Sequence, residues 1–248
     1  MGLANKLFKY ADYRVSELTT AFGRYILRSM KKLATSNSYS FRVIYGDTDS
    51  IFLTNVSSKE QVDNFLDKWE STVENVEIDR KYVTAHKLLL RGKKHYIFVT
   101  DNNIIVSRGN EGKKSDRPPY FKKIQQQFEL DFASGTNPTI NLHKFYMQLE
   151  QRKVPLEDLV ITMQLAKNPQ DYPTNIAQKL VGGQLNALEG DIISFYKGDC
   201  LGKATIKESE IAYSRYIDLF THTFEPLVTL AGYDFEHDVL GVISIANL

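Results

Sequence analysis

Apolar residues recur along the first third of the chain at helical spacing, then at extended spacing, then at helical spacing again. Val15, Leu18, Phe22, Tyr25, Ile26 and Leu33 approximate a 3.6-residue period, which predicts an amphipathic helix over residues 12–33. Asn37 and Ser38 form a turn. Two short β-prone runs, 41–45 and 51–53, flank Gly46-Asp47-Thr48-Asp49-Ser50, and that arrangement predicts a hairpin. Ser57 followed by Glu60 fits a capping box. Behind it, Val62, Phe65, Leu66, Trp69 and Val73 form the apolar stripe of a second helix. Its other side carries Asp63, Asp67, Glu70 and Glu74, expected to be a solvated face rather than a metal site.

Strand-like runs follow at 87–91, 95–100 and 104–107, the last two joined by the turn sequence Asp101-Asn102-Asn103. Helix, hairpin, helix and three strands in that order predict an α+β fold in which helices pack on one face of an antiparallel sheet. After Pro118-Pro119 the character changes. Helical stretches near 142–150 and 211–230 alternate with Asn-, Pro- and Gly-rich loops and with short strands at 159–165 and 191–196. The expected boundary falls between Arg117 and Gly135, giving domains 1–125 and 126–248, the second mainly helical.

Composition is that of an ordinary globular protein, 42% hydrophobic and 25% charged. A single cysteine, Cys200, excludes a disulfide framework and a cysteine-rich zinc site. No run approaches a membrane-spanning length and no apolar signal region follows Met1, so an intracellular setting is expected, cytoplasmic if the source is prokaryotic. The net charge of +1 hides an uneven distribution. Residues 87–123 hold ten basic side chains against Asp101, Glu111 and Asp116, whereas 59–80 hold seven acids against three bases. Local clustering of this kind suits phosphate contact. A solvated lysine-rich loop would have the same composition.

The chemistry rests on Asp47 and Asp49. Side chains alternate along an extended segment, so the two carboxylates project to one side while Thr48 points away. Carboxylate oxygens at a turn suit Mg²⁺, which takes few protein ligands and completes its shell with water and substrate phosphates. Two such ions about 3.5–4 Å apart are the usual device for nucleotidyl transfer. An isolated Asp-x-Asp carries little information, because such pairs are common in turns. The full string Tyr45-Gly46-Asp47-Thr48-Asp49-Ser50 between two apolar strands carries much more. It closely resembles the third palm motif of family B DNA polymerases. Upstream, Thr20-Ala21-Phe22-Gly23-Arg24 resembles the Thr-x-x-Gly-Arg signature of the palm helix that precedes that hairpin. Downstream, Lys93-Lys94-His95-Tyr96 resembles the family's Lys-Lys-Arg-Tyr motif, with His95 in place of the arginine. Gly112 through Arg117 is similar to the glycine-plus-basic run where palm passes into thumb. Looser thumb-like matches follow at 159–162, 171–172 and 190–193.

The resemblance implies an antiparallel palm sheet with packed helices in 1–125 and a thumb in 126–248. It implies that Asp49 bridges two Mg²⁺ ions with Asp47 beside it, and that Tyr45, Gly46 and Thr48 shape the turn near the primer terminus. Lys93, Lys94, Tyr96 and Arg117 would contact primer–template DNA, and deoxynucleoside triphosphates would be the second substrate. Phosphate contacts position a duplex without reading its sequence, which suits an enzyme that copies any template. The family's earlier palm motif, Asp-x-x-Ser-Leu-Tyr-Pro, and its fingers helix are missing from the sequence, as are its exonuclease carboxylates. One side of a two-metal site cannot organise both ions, so the chain is expected to be inactive without a complementary polypeptide or the missing amino-terminal portion. Natural split subunit and fragment of a longer chain both fit. Two other classes compete: a non-catalytic DNA-binding or interaction module retaining the palm–thumb surface, and a nucleotide-sugar transferase using Asp-x-Asp.

Overall fold

A computed structural model describes residues 12–47, 50–110, 112, 114, 116–173, 176–197 and 211–242. The fold is α+β with small antiparallel sheets, and the chain divides into two compact units, Met1–Tyr82 and Val83–Leu248.

The first unit contains α1 (Tyr13–Ala34), β1 (Arg42–Asp47), β2 (Ser50–Thr54) and α2 (Lys59–Glu70). Asp12 caps α1, its carboxylate accepting from the amides of Arg14 at 2.9 Å and Val15 at 3.4 Å. The cap of α2 is Ser58, whose hydroxyl accepts from the Gln61 amide, and the Gln61 side chain returns to the Ser57 amide at 2.9 Å. This corrects the expected Ser57–Glu60 box by one residue: Gln61 is the polar side chain three positions beyond the true cap. Phe65, Leu66 and Trp69 on α2 are buried with Met30 and Ala34 of α1 and with Phe41. Edge-to-face contacts of Phe65 with Tyr39 (5.4 Å) and Phe41 (5.5 Å) fix this small core. Each large side chain so buried contributes roughly 1.5–3 kcal/mol.

The apolar stripe of α1 departs from expectation. Its carboxy-terminal end is buried, but Leu18 is 69% exposed, Phe22 50% and Tyr25 55%. The acidic face of α2 is also more ordered than a merely solvated one. Arg80 reaches back to Asp67 at 2.6 Å and Glu70 at 2.7 Å, and the Tyr82 hydroxyl donates to Asp63. Two acceptors hold the Arg80 guanidinium well above its ordinary pKa.

The second unit opens with a sheet of order β3-β4-β5: β3 (Ala85–Gly92), β4 (His95–Thr100) and β5 (Ile105–Arg108), all antiparallel. The β1–β2 hairpin is hydrogen-bonded as a separate sheet, so the single sheet expected from the element order is not formed among the described residues. One face of the three-stranded sheet presents Leu89, Ile97 and Val99, all buried. Leu89 and Ile97 pack in a core with α3 (Pro119–Ser134), α4 (Thr139–Glu150) and α7 (Tyr213–Leu230). Phe121 of α3 stacks on Phe224 of α7 at 6.1 Å, and Phe224 meets Phe220 at 5.1 Å.

Helix α3 begins at the expected domain boundary, where no helix was predicted. Its Tyr120, Phe121, Ile124 and Phe128 have helical spacing, but buried Gln125, Glu129 and Asp131 interrupt the apolar pattern. Those polar groups are paired inside: Gln125 and Asn110 donate to Glu129, while Gln127 and Asn141 donate to Asp131.

Beyond α4 come α5 (Leu156–Leu159), β6 (Ile161–Gln164), α6 (Ala177–Gln184) and β7 (Ile192–Phe195). The strand expected over 159–165 is therefore shorter, because its first residue closes a helical turn. β6 and β7 pair antiparallel, Thr162 and Ser194 sharing a 3.0 Å hydroxyl contact. Val181 of α6 and Ile161, Leu165, Ile193 and Phe195 make a small satellite core. No helix among the described residues is long and apolar enough to cross a membrane.

Candidate functional site

β1 and β2 do not pair in simple register. Val43 faces Leu53, but Tyr45 faces Phe52, so Ile44 is an extra residue in β1. A bulge of this kind reverses the face presented by everything beyond it. Val43, Leu53 and Ile51 pack against the Trp69 core, and Gly46 is opposite Ile51 on that same face. Tyr45, Phe52 and Asp47 are thereby turned to the other face. In an unbulged strand Tyr45 and Asp47 would have followed Val43 into the core. Tyr45 and Phe52 meet edge to face at 5.3 Å, and Asp47, half-buried at the strand's end, is opposite Ser50. The Ser50 hydroxyl donates to the Asp47 carbonyl at 3.3 Å. Thr48 and Asp49 lie outside the described residues.

Thr20, Gly23 and Arg24 are on α1 in the same unit. Thr20 is exposed, its hydroxyl donating to the Ser16 carbonyl at 2.8 Å, and Arg24 is exposed. Among the described residues, a side chain at Gly23 would meet nothing within 4 Å.

In the second unit Lys93 and Lys94 form the two-residue loop between β3 and β4, both exposed, with Gly92 paired to His95. Lys94 has a positive φ of 62°, a left-handed conformation that lysine seldom adopts. The fixed turn has a second cause. Gly109, itself at φ 64°, runs so close beneath that a Cβ there would lie 2.1 Å from the Lys94 carbonyl oxygen. Tyr96 stands on the sheet face opposite the core, stacked on Phe98 at 5.9 Å, and is paired across the sheet with Arg108. Arg108 counted in the sequence only as part of a charge run; its place beside Tyr96 follows from register. Arg117 pairs with Asp116 at 2.8 Å immediately before α3, its side chain 14% exposed.

Two members of the basic run serve the fold. The Lys87 ammonium donates to the carbonyls of Phe132 (3.1 Å) and Ala133 (2.8 Å), satisfying the end of α3. Lys123 is bound to Asp158 at 2.7 Å. Among the described residues, no group of three or more His, Cys, Asp or Glu side chains is placed to hold a metal ion.

A family model described as DNA polymerase family B matches residues 1–187. The DNA polymerase of Archaeoglobus fulgidus is 32% identical over 204 residues, which is 77% of this chain and 25% of that protein. DNA polymerase 1 of Sulfolobus acidocaldarius is 28% identical over 93% of this chain and 28% of its own length. The solved structure of the family B DNA polymerase from Pyrobaculum calidifontis superimposes with a TM-score of 0.54 at 19% identity, covering 99% of this chain and 32% of that one. The chain therefore spans about a quarter to a third of these relatives.

Proposed function

This chain belongs to DNA polymerase family B, and on that premise we propose that it forms the later part of the palm and the thumb of a DNA-directed DNA polymerase. In this reading 1–125 is palm and 126–248 thumb, a functional division separate from the compact units that meet at Tyr82 and Val83. The observation that supports the reading is the bulge at Ile44, which turns Tyr45 and Asp47 of the polymerase-like string away from the core.

Asp47 offers hard carboxylate oxygen at a turn, a donor suited to Mg²⁺. Asp49, two residues on, is the carboxylate proposed to bridge two ions, with the rest of the ligands supplied from outside this chain. When bound, the two ions would activate the primer hydroxyl and stabilise the leaving oxygen. The chain's own residues position the substrates. Tyr45 and Gly46, with Thr48, shape the turn beside the primer terminus. Lys93 and Lys94 hold the duplex backbone, Tyr96 stands on the adjoining sheet face, and Arg117 adds a cation at the start of α3. Deoxynucleoside triphosphates enter against the complementary part of the enzyme, whether that part is a second polypeptide or more of the same one.

Primer extension tests this. The chain is mixed with a polypeptide carrying the family's earlier palm motif and fingers, and each is assayed alone. Extension should require both, and Asp49→Ala should abolish it. Undiminished extension by the reconstituted Asp49→Ala protein would falsify the catalytic reading and leave the non-catalytic DNA-binding module. Neutralising Lys93 and Lys94 should weaken duplex binding and flatten its salt dependence.

A further inference from the structure

Helix α1 is longer than the core it serves. Among the described residues, the buried cluster of the first unit takes up Ile26, Met30, Leu33 and Ala34 of this helix and no residue before Ile26. At 22 residues the helix is about 33 Å long, so roughly half of it reaches past that core. The reaching half is nonetheless patterned for burial. Val15, Leu18, Phe22 and Tyr25 are all exposed. They follow one another at intervals of three, four and three residues, which aligns them as one seam about 15 Å long. The Phe22 and Tyr25 rings are stacked at 6.3 Å and form a single plate at its inner end.

The character of this half-helix specifies what would cover the seam. Thr19 and Thr20 return their hydroxyls to the Val15 and Ser16 carbonyls at 2.8 Å, so those polar groups are served within the helix. A seam two positions wide in each heptad suits a facing helix, whereas a membrane surface takes a broader apolar face. Single exposed apolar residues are ordinary, but four in one line mark a contact surface. Charge adds a second constraint. Helix α1 carries Arg14, Arg24, Arg28, Lys31 and Lys32 against Glu17, all of them exposed. A complementary surface is therefore acidic beside its apolar ridge. The relatives supply such a surface with a source: this chain spans about a quarter to a third of them, so a polymerase of this family has about two-thirds or more of its polypeptide to place against this part.

We propose that the Val15-Leu18-Phe22-Tyr25 seam is a docking surface for a helix of the remaining part of the polymerase, on the same polypeptide or on a second one. The proposal rests on the polymerase reading and adds to it the surface by which the two parts associate. In helix-on-helix docking, anchors at this spacing fill successive pockets of the facing element. Leu18 and Phe22, at the middle of the seam, are the anchors with most to bury.

Association, measured apart from catalysis, tests the seam. The full chain, labelled at its carboxy terminus, is titrated with the Archaeoglobus fulgidus DNA polymerase lacking the quarter that this chain matches. Leu18→Gln and Phe22→Gln should each weaken association about tenfold or more, the loss that follows when a large apolar side chain goes unburied. Phe22→Leu should keep most of the affinity. Neither glutamine variant should lower the unfolding midpoint followed by Trp69 emission, because both side chains face solvent in the free chain. Wild-type affinity in both glutamine variants would overturn the docking surface and leave the polymerase reading standing. Tight, seam-dependent association of a mixture that extends no primer would overturn the polymerase reading and leave the surface. Absence of association by the wild type would overturn both. A lower midpoint in the glutamine variants would mean that the chain covers the seam itself, and seam-dependent self-association in sedimentation would make a second copy the occupant; either result overturns the proposal. Seam-dependent binding to vesicles of phosphatidylglycerol and phosphatidylcholine, without binding to the shortened polymerase, would overturn it in favour of a membrane surface.

Discussion

The indole N–H of Trp69 donates to the Ser29 hydroxyl at 2.9 Å, joining α2 to α1 inside the first unit. Trp69 is 1% exposed and is the one tryptophan of the sequence, so its fluorescence reports the unfolding of that unit. Ser29→Ala leaves a buried donor without its partner, at a cost of about 1–3 kcal/mol. Urea unfolding followed by tryptophan emission should show a lower midpoint, while duplex binding through Lys93 and Lys94 in the other unit should be unaffected.

Arg80 gathers the acids of α2. Its guanidinium serves Asp67 and Glu70 together, and the Glu70 carboxylate also accepts from the Ile78 amide at 2.9 Å. Arg80→Ala should therefore lower the tryptophan-monitored midpoint by less than Ser29→Ala does. The difference from wild type should shrink in high salt, because the pairs are solvent-facing and screened. A salt-independent loss would mean that Arg80 acts through packing of its stem.

Two buried tyrosines give the second unit an alkaline limit. The Tyr120 hydroxyl donates to the Phe145 carbonyl at 2.7 Å and to Gln148 at 3.0 Å, and burial followed by the charge of Asp158 pushes its pKa up. Burial likewise raises the pKa of Tyr216. In the unfolded chain both ionise near the ordinary value of about 10. Their contribution is thus complete below about pH 10 and is lost as pH rises above it. Circular dichroism melts should be flat in pH below that value as far as these groups are concerned, then fall. Tyr120→Phe should reduce the fall and cost about 1 kcal/mol at neutral pH.

The Lys94 turn separates stability from binding. Lys94→Gly relieves a left-handed residue and should stabilise the fold by about 0.5–1 kcal/mol while weakening duplex binding. Gly109→Ala should do harm on both counts, since its Cβ would be forced to 2.1 Å from the Lys94 carbonyl oxygen. Melting temperature and duplex affinity measured on both variants check the pair; stronger binding by Lys94→Gly would remove Lys94 from the phosphate contacts.

Local pattern made much of this chain legible. The period of Phe65, Leu66 and Trp69 identified α2, the apolar runs around Gly-Asp-Thr-Asp-Ser identified the hairpin, and the string itself pointed to the family. These features depend on residues close in sequence, whose spacing is fixed by backbone geometry. What tertiary structure alone decided depends on residues far apart. The bulge at Ile44 settles which face carries Asp47, and it is visible only once β1 is in register with β2. Helix α3 was hidden because Gln125, Glu129 and Asp131 look like surface residues until Asn110 and Asn141 come to pair with them. Lys87 and Lys197 read alike as basic residues of loops and strands. One satisfies the end of a helix and the other has its backbone held by Tyr216 and Ala212, because the fold, and not the sequence near each lysine, supplies its neighbours.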